Sequence, residues 1–187
     1  MDAGYDERRS KIRTRISIMS DEVVNRVANS KLKTIDLEDY YPKGTRTIID
    51  IKKWLFHEQI LKETDFREHL KNHDWSQYKN QYVALTCSSD AIIPSWAFML
   101  ITTYVSPFAK KIVVGNLAAL ETSIFQDIIT NFNIEDFAEK RVIIKGCSNK
   151  PIPETAYIQL IEKLQPVVKS IMFGEACSTV PLYKSNK

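Results

Sequence analysis

The chain has 187 residues, 44% of them hydrophobic and 26% charged, and its 26 basic and 23 acidic side chains leave a net charge of +3. This is the composition of a globular domain with enough chain to bury a core without disulfides or metals. So small a basic excess excludes an electrostatic footprint for nucleic acid. The five glycines, Gly4, Gly44, Gly115, Gly146 and Gly174, stand too far apart for a dinucleotide fingerprint, a phosphate-cradling loop or a G-x-S-x-G nucleophile elbow.

Residues 1–18 are charged, lack helical periodicity and contain no apolar h-region, so they are expected to be a flexible N-terminal extension rather than a secretory signal. Residues 19–187 are then expected to form a single α/β domain, with Met19-Ser20-Asp21-Glu22 as a natural chain start. A short helix is predicted over Ser20–Asn29, capped by Ser20 with Asp21 and Glu22 in its first turn. Thr45–Ile51 reads as a strand, and Thr64–His73 as a helix capped by Thr64. His73–Gln81 reads as a polar loop carrying Trp75 and Tyr78.

From residue 82 the pattern sharpens. Tyr82–Thr86 is a β-rich run, followed by an apolar helix over residues 94–105. The stretch from Ala91 to Ala109 carries no charge and reaches spanning length. Pro94 and Pro107 bracket it, however, and strands flank it, so a helix buried against a sheet is expected and no membrane segment. Ile112–Val114 is a second strand. Leu117, Leu120, Ile124, Ile128 and Phe132 then recur at helical spacing. Val142–Ile144 is a third strand, and Pro153 opens a helix that buries Ala156, Tyr157, Leu160, Ile161 and Leu164 and stops near Pro166. Ser170–Phe173 is a fourth strand. Alternation of this kind predicts right-handed β-α-β crossovers and an α/β fold: a three-layer domain in which these four strands are neighbours in one mainly parallel sheet.

The three cysteines are an odd number in a mid-sized chain, which suits reduced thiols in a cytoplasmic protein better than a disulfide framework. Cys87 follows the strand at 82–86, Cys147 the strand at 142–144, and Cys177 the strand at 170–173. In an open parallel sheet ligands bind along the carboxyl edge of the strands, so all three thiols are expected on that edge. Three converging thiolates suit a soft metal, either zinc or an iron–sulfur cluster, with one further ligand. His73 and Asp90 are the further ligands considered, with His57, His69 and Glu175 behind them. His69 and His73 share a helical face, but Leu70 stands where a metalloprotease motif requires Glu. Asp90 is equally suited to cap the helix that follows it.

Against this stands the ordinary reading of a free cysteine as a small buried hydrophobe. A cysteine nucleophile is the alternative chemistry. Cys147 is the best placed for it, after Gly146 and shortly before the Pro153 helix, and would serve as a sulfur carrier or transferase. A partner-binding scaffold with incidental cysteines is the non-enzymatic alternative.

Six segments carry a resemblance: VNRVANS (24–30), TIDLEDYYP (34–42), KNHDWSQY (71–78), ALTCSSDAIIPSWA (84–97), VIIKGC (142–147) and SIMFGEACSTVPLYK (170–184). Together they resemble a bacterial family of domains of unknown function, over Ser20 to Lys184. That family has no assigned site residues to carry over. The resemblance implies genes that often sit beside those of the sulfur-mobilisation pathway, an association that points to iron–sulfur assembly proteins as partners and favours iron–sulfur or sulfur handling over structural zinc.

Overall fold

A computed structural model of the chain describes residues 32–146, 149–175 and 178–186. Apart from Leu32, these all belong to one compact unit, Lys33–Lys187. The extension predicted over residues 1–18 and the helix predicted over Ser20–Asn29 lie outside the described residues.

In chain order the described elements are β1 (Leu32–Ile35), β2 (Arg46–Asp50), α1 (Glu63–Asn72), β3 (Tyr82–Thr86), α2 (Ser95–Val105), β4 (Lys111–Val114), α3 (Leu117–Thr130), β5 (Arg141–Ile144), α4 (Glu154–Leu164), β6 (Ser170–Glu175) and β7 (Ser178–Lys184). Short 3₁₀ turns follow β1 and β2, at Leu37–Tyr40 and Ile51–Trp54. The architecture is α/β and mostly parallel, as the alternation predicts. β2 pairs with β3 and β3 with β4 in parallel, and β5 pairs with β6 in parallel.

The expectation of one sheet is corrected. The strands form two sheets, β2-β3-β4 and β1-β5-β6-β7, so β4 and β5 are not hydrogen-bonded neighbours although one helix joins them. Periodicity reports which face of each element is apolar; it does not report which backbone edges meet. α3 is the element that spans both sheets. One face of it buries Leu120 and Ile124 on Ala84 of β3, and an adjoining face buries Phe125 and Ile129 among Ile35, Val142, Ile144 and Ile171 of the other sheet. Fourteen residues at 1.5 Å each give a rod of about 21 Å, long enough for both tasks.

The β2-β3-β4 sheet is the middle of three layers. Val83 and Leu85 face α1 and α2 through Phe66, Leu70, Ala97, Ile101 and Val105, while Ala84 faces α3. The helix predicted over 94–105 is therefore α2, with Ala97, Ile101 and Val105 fully buried. Truncation of such a residue as Ile101 to alanine removes about 2–5 kcal/mol. Among the described residues no helix is long and apolar enough to cross a membrane.

Asn116 caps α3, accepting the Ala119 N–H at 2.9 Å. Thr64 does not cap α1, which begins one residue earlier behind Lys62 without a side-chain cap. α2 starts behind Pro94, so Asp90 does not cap it. β1 and β7 are strands that the sequence pattern did not reveal: β1 is only four residues long, and β7 carries Pro181. Pro181 is tolerated because, among the described residues, β7 is the end strand of its sheet, hydrogen-bonded to β6.

The first residue of β2 and helix α3 are joined by a buried ion pair. Arg46 Nε lies 2.7 Å from Glu121 Oε1, the same oxygen accepts the Tyr41 hydroxyl at 2.8 Å, and Arg46 Nη1 donates to the carbonyls of Pro42 and Gly44. The guanidinium lies 4.3 Å over the Tyr41 ring and 4.8 Å over the Tyr82 ring. Every polar atom of the pair has a partner, which is what a buried charge requires.

Candidate functional site

The carboxyl end of β5 lies beside that of β6, with Ile144 opposite Phe173. The residues that follow converge there. Lys145 N–H donates to the carbonyl of Ile35 at the end of β1, and its Nζ pairs with Asp36 Oδ2 at 2.9 Å. The Lys145 ammonium and the Glu38 N–H hold the Asp36 carboxyl below the usual carboxylate range, against the opposing effect of burial. Lys145 is raised in turn by Asp36, and then by the negative charges of Glu175 and Asp39. Tyr157 reaches the same corner from α4. Burial, with the charges of Asp36 and Glu38 behind it, raises its phenol, and its ring meets Phe173 edge-on at 5.8 Å. Gly146 lies so close to Phe173 that a Cβ there would fall 2.7 Å from the ring. Asn149 N–H donates to the Glu38 carboxylate.

Gly146 and Asn149 flank Cys147, and Glu175 and Ser178 flank Cys177 and pair with each other across the β6–β7 hairpin. Cys147 and Cys177 themselves lie outside the described residues. The described neighbours of both nonetheless meet at one corner of one sheet.

Cys87 belongs to the other sheet, after β3. It is half-buried, with its Sγ 3.1 Å from Ser89 Oγ and its inner side packed on the core between the sheet and α1 and α2. Asp50, at the end of β2, accepts the Ser88 N–H at 3.1 Å and the Lys52 N–H at 3.0 Å. Burial opposes its charge, but the hydrogen bonds from Ser88 and Lys52 together outweigh it and leave its pKa lowered. Lys52 pairs with Glu58 at 2.8 Å. Asp90 is exposed on the loop beyond.

The two sheets thus repeat one corner. Each has a strand that runs through Ile into Asp (Ile35-Asp36, Ile49-Asp50), an Asp that caps a 3₁₀ turn through the N–H two residues on, and a buried first 3₁₀ residue (Leu37, Ile51). Each Asp takes a second hydrogen bond from the residues after a neighbouring strand, Lys145 for Asp36 and Ser88 for Asp50. Asp36 and Asp50 were missed as site residues. The signal available for them was a strand pattern running straight into Asp followed by an apolar residue, the signature of an Asx turn.

Among the described residues the histidines form no metal-holding group with Cys87, the one described thiol. His73 closes α1, with its Nε2 2.9 Å from the Tyr78 hydroxyl and 3.3 Å from the Gln77 amide, and its ring packs against Trp54, Trp75 and Tyr78. Burial, and then the Lys53 charge, lower its pKa. The neutral imidazole is the form a metal needs, but Nε2 is already engaged. His69 is exposed, and His57 sits in a turn with φ of 47°. Among the described residues no three His, Cys, Asp or Glu side chains are grouped to hold a metal.

A family profile described as "Protein of unknown function (DUF2480)" matches residues 21–185. Nothing in that match concerns sulfur mobilisation or iron–sulfur assembly. No curated protein and no solved structure matches the chain.

Proposed function

We propose that this chain, which belongs to the DUF2480 family, is a cytoplasmic accessory protein that holds a soft metal, as zinc or an iron–sulfur cluster, through thiolates at the carboxyl edge of the β1-β5-β6-β7 sheet. Cys147 and Cys177 are the primary ligands of this reading. One observation supports the pair: the parallel register of β5 and β6, with Gly146 packed on Phe173 and Lys145 within reach of the Glu175 charge. Tetrahedral thiolate ligands with metal–sulfur bonds of about 2.3 Å need their sulfurs about 4 Å apart, a separation compatible with residues that follow paired strands. Glu175 supplies a carboxylate at the same corner. Cys87, His73 and Asp90 are the further ligands considered, and each follows an element of the other half of the unit, after β3 or α1. Iron–sulfur assembly proteins are the partners this reading implies.

The test is the metal content of anaerobically purified or reconstituted protein, with each cysteine replaced in turn by serine. Cys147→Ser and Cys177→Ser are each expected to remove the metal. Cys87→Ser removes it as completely if three thiolates share one centre, and leaves it if a carboxylate completes the set. A single dominant position, Cys147, with no metal dependence would instead favour the nucleophile reading. Protein that takes up neither zinc nor a cluster sinks the metal proposal altogether.

A further inference from the structure

We infer that the free edge of β4 takes up an extended segment of a partner protein, paired antiparallel and carrying an acidic side chain opposite the start of the strand. The unit Lys33–Lys187 contains one arrangement twice. α2 and α4 have eleven residues each, both open behind a proline, and both bury the same positions: Ala97, Ile101 and Val105 in one, Ala156, Leu160 and Leu164 in the other. β3 precedes the first helix and β4 follows it in parallel; β5 and β6 stand in the same relation to the second. The details repeat as well. Lys110 N–H donates to the Gln81 carbonyl and Lys169 N–H to that of Lys140, each at 2.8 Å. A left-handed residue precedes each inner strand, Asn80 at φ 61° and Glu139 at φ 56°. At this constant offset Lys111, Ile112 and Val114 of β4 correspond to Ser170, Ile171 and Phe173 of β6.

The two outer strands differ in what lies beyond them. β6 is flanked by β7, which folds back antiparallel and sets Tyr183 opposite Ile171 and Val180 opposite Phe173. Among the described residues β4 ends its sheet. Gly115 N–H donates to the Leu85 carbonyl, so backbone groups alternate along β4 and those of Ile112 and Val114 point away from β3. Their side chains lack the cover of their counterparts: Ile171 is fully buried and Ile112 only in part, while Val114 is 58% exposed. The other half of the fold thus displays what closes such an edge, an antiparallel strand with apolar side chains opposite these two positions. Charge separates a partner's strand from β7 of a second copy. β7 sets Lys184 opposite Ser170, but the matching residue of β4 is Lys111, with Lys110 beside it. Asp127 pairs with Lys111, whereas the exposed Lys110 ammonium rests on the Lys43 carbonyl at 3.3 Å and the Tyr82 ring at 5.5 Å. A lysine brought here meets like charge, and an aspartate or glutamate meets its opposite. Lysines on an edge also deter the strand from pairing with its own copy.

Fluorescence anisotropy of labelled peptides titrated with the full chain tests the proposal. One synthetic peptide is the segment 178–185 carrying Lys184→Glu, and the other is the same segment unchanged. The acidic peptide is expected to bind, and the unchanged one about fivefold or more weaker. Bound peptide is expected to slow hydrogen exchange at the amides of Ile112 and Val114. Val114→Pro removes one outward N–H and is expected to abolish binding. Lys110→Glu leaves the edge intact and is expected to reverse the preference between the two peptides, which decides the matter even where the proline variant fails to fold. An acidic peptide that does not bind at high micromolar chain overturns the proposal. So does protection confined to other strands, or a preference that Lys110→Glu leaves unchanged. A wild-type dimer in sedimentation velocity that Val114→Pro splits also overturns it, since a second copy then holds the edge.

Discussion

Replacing Glu121 by alanine is expected to be among the most damaging single changes in the described unit. Its carboxylate is 9% exposed and the Arg46 side chain 12% exposed, so neither charge is well hydrated once its partner is gone. The substitution removes the Arg46 Nε bond at 2.7 Å and the acceptor of the Tyr41 hydroxyl, and leaves Arg46 with the carbonyls of Pro42 and Gly44 and the faces of the Tyr41 and Tyr82 rings. Removing one member of a buried pair costs about 3–5 kcal/mol, because the other charge stays behind. With a urea dependence of about 2 kcal/mol per molar, the unfolding midpoint falls by about 1.5–2.5 M. Arg46→Met combined with Glu121→Leu removes both charges and keeps the volume, and is expected to lie within about 2 kcal/mol of wild type. The assay is equilibrium urea unfolding, followed by circular dichroism, of wild type, Glu121→Ala, the single mutants Arg46→Met and Glu121→Leu, and their combination. A cost for Glu121→Ala below about 1 kcal/mol, or single-mutant costs that simply add in the double mutant, would refute the reasoning.

Three further outcomes follow from the same contacts. Burial first, and then the hydrogen bond to Glu121, push the Tyr41 phenol up to about 12, and Tyr78 and Tyr157 are raised in the same sense. The stability this contributes is complete below pH about 10 and is lost as pH rises through the folded-state value, so Tyr41→Phe should flatten the loss seen in alkaline thermal melts. Asp36 and Asp50 are depressed in the folded state, so their contribution is present above the unfolded carboxylate range near pH 4 and disappears as pH falls through their lower folded values. Asp36→Asn with Asp50→Asn should reduce the acid sensitivity of stability, and Asp50→Ala at neutral pH should cost about 1 kcal/mol as a lost cap. Gly174 has φ of +123°, and a Cβ there would fall 2.5 Å from the Ser178 carbonyl oxygen, so Gly174→Ala should lower stability by at least about 1–3 kcal/mol in a thermal melt.

The α/β class and the central run of elements were legible in the sequence because each is written in local chemistry. Val83 and Leu85 alternate with Ala84, Leu120 and Ile124 recur at helical spacing, and Ala156, Leu160 and Leu164 do the same on α4; all of them are buried as that spacing requires. The placement of Cys87 just beyond a strand end was also readable, since strand ends follow from pattern.

Which edges would pair was decided by tertiary structure alone. β5 chose β1 and β6 rather than β4, and α3 took up the work of holding two sheets together. The same separation puts Cys87 in one sheet and the flanks of Cys147 and Cys177 in the other, a division no spacing rule contains. The Asp36–Lys145 contact joins residues 109 positions apart, and Arg46–Glu121 joins residues 75 apart. A sequence records the side chains that can make such bonds, but only the folded backbone brings them within 3 Å. Ion pairs and sheet edges are satisfied by whatever neighbour the fold delivers, whereas helix and strand faces are fixed by the chain's own period.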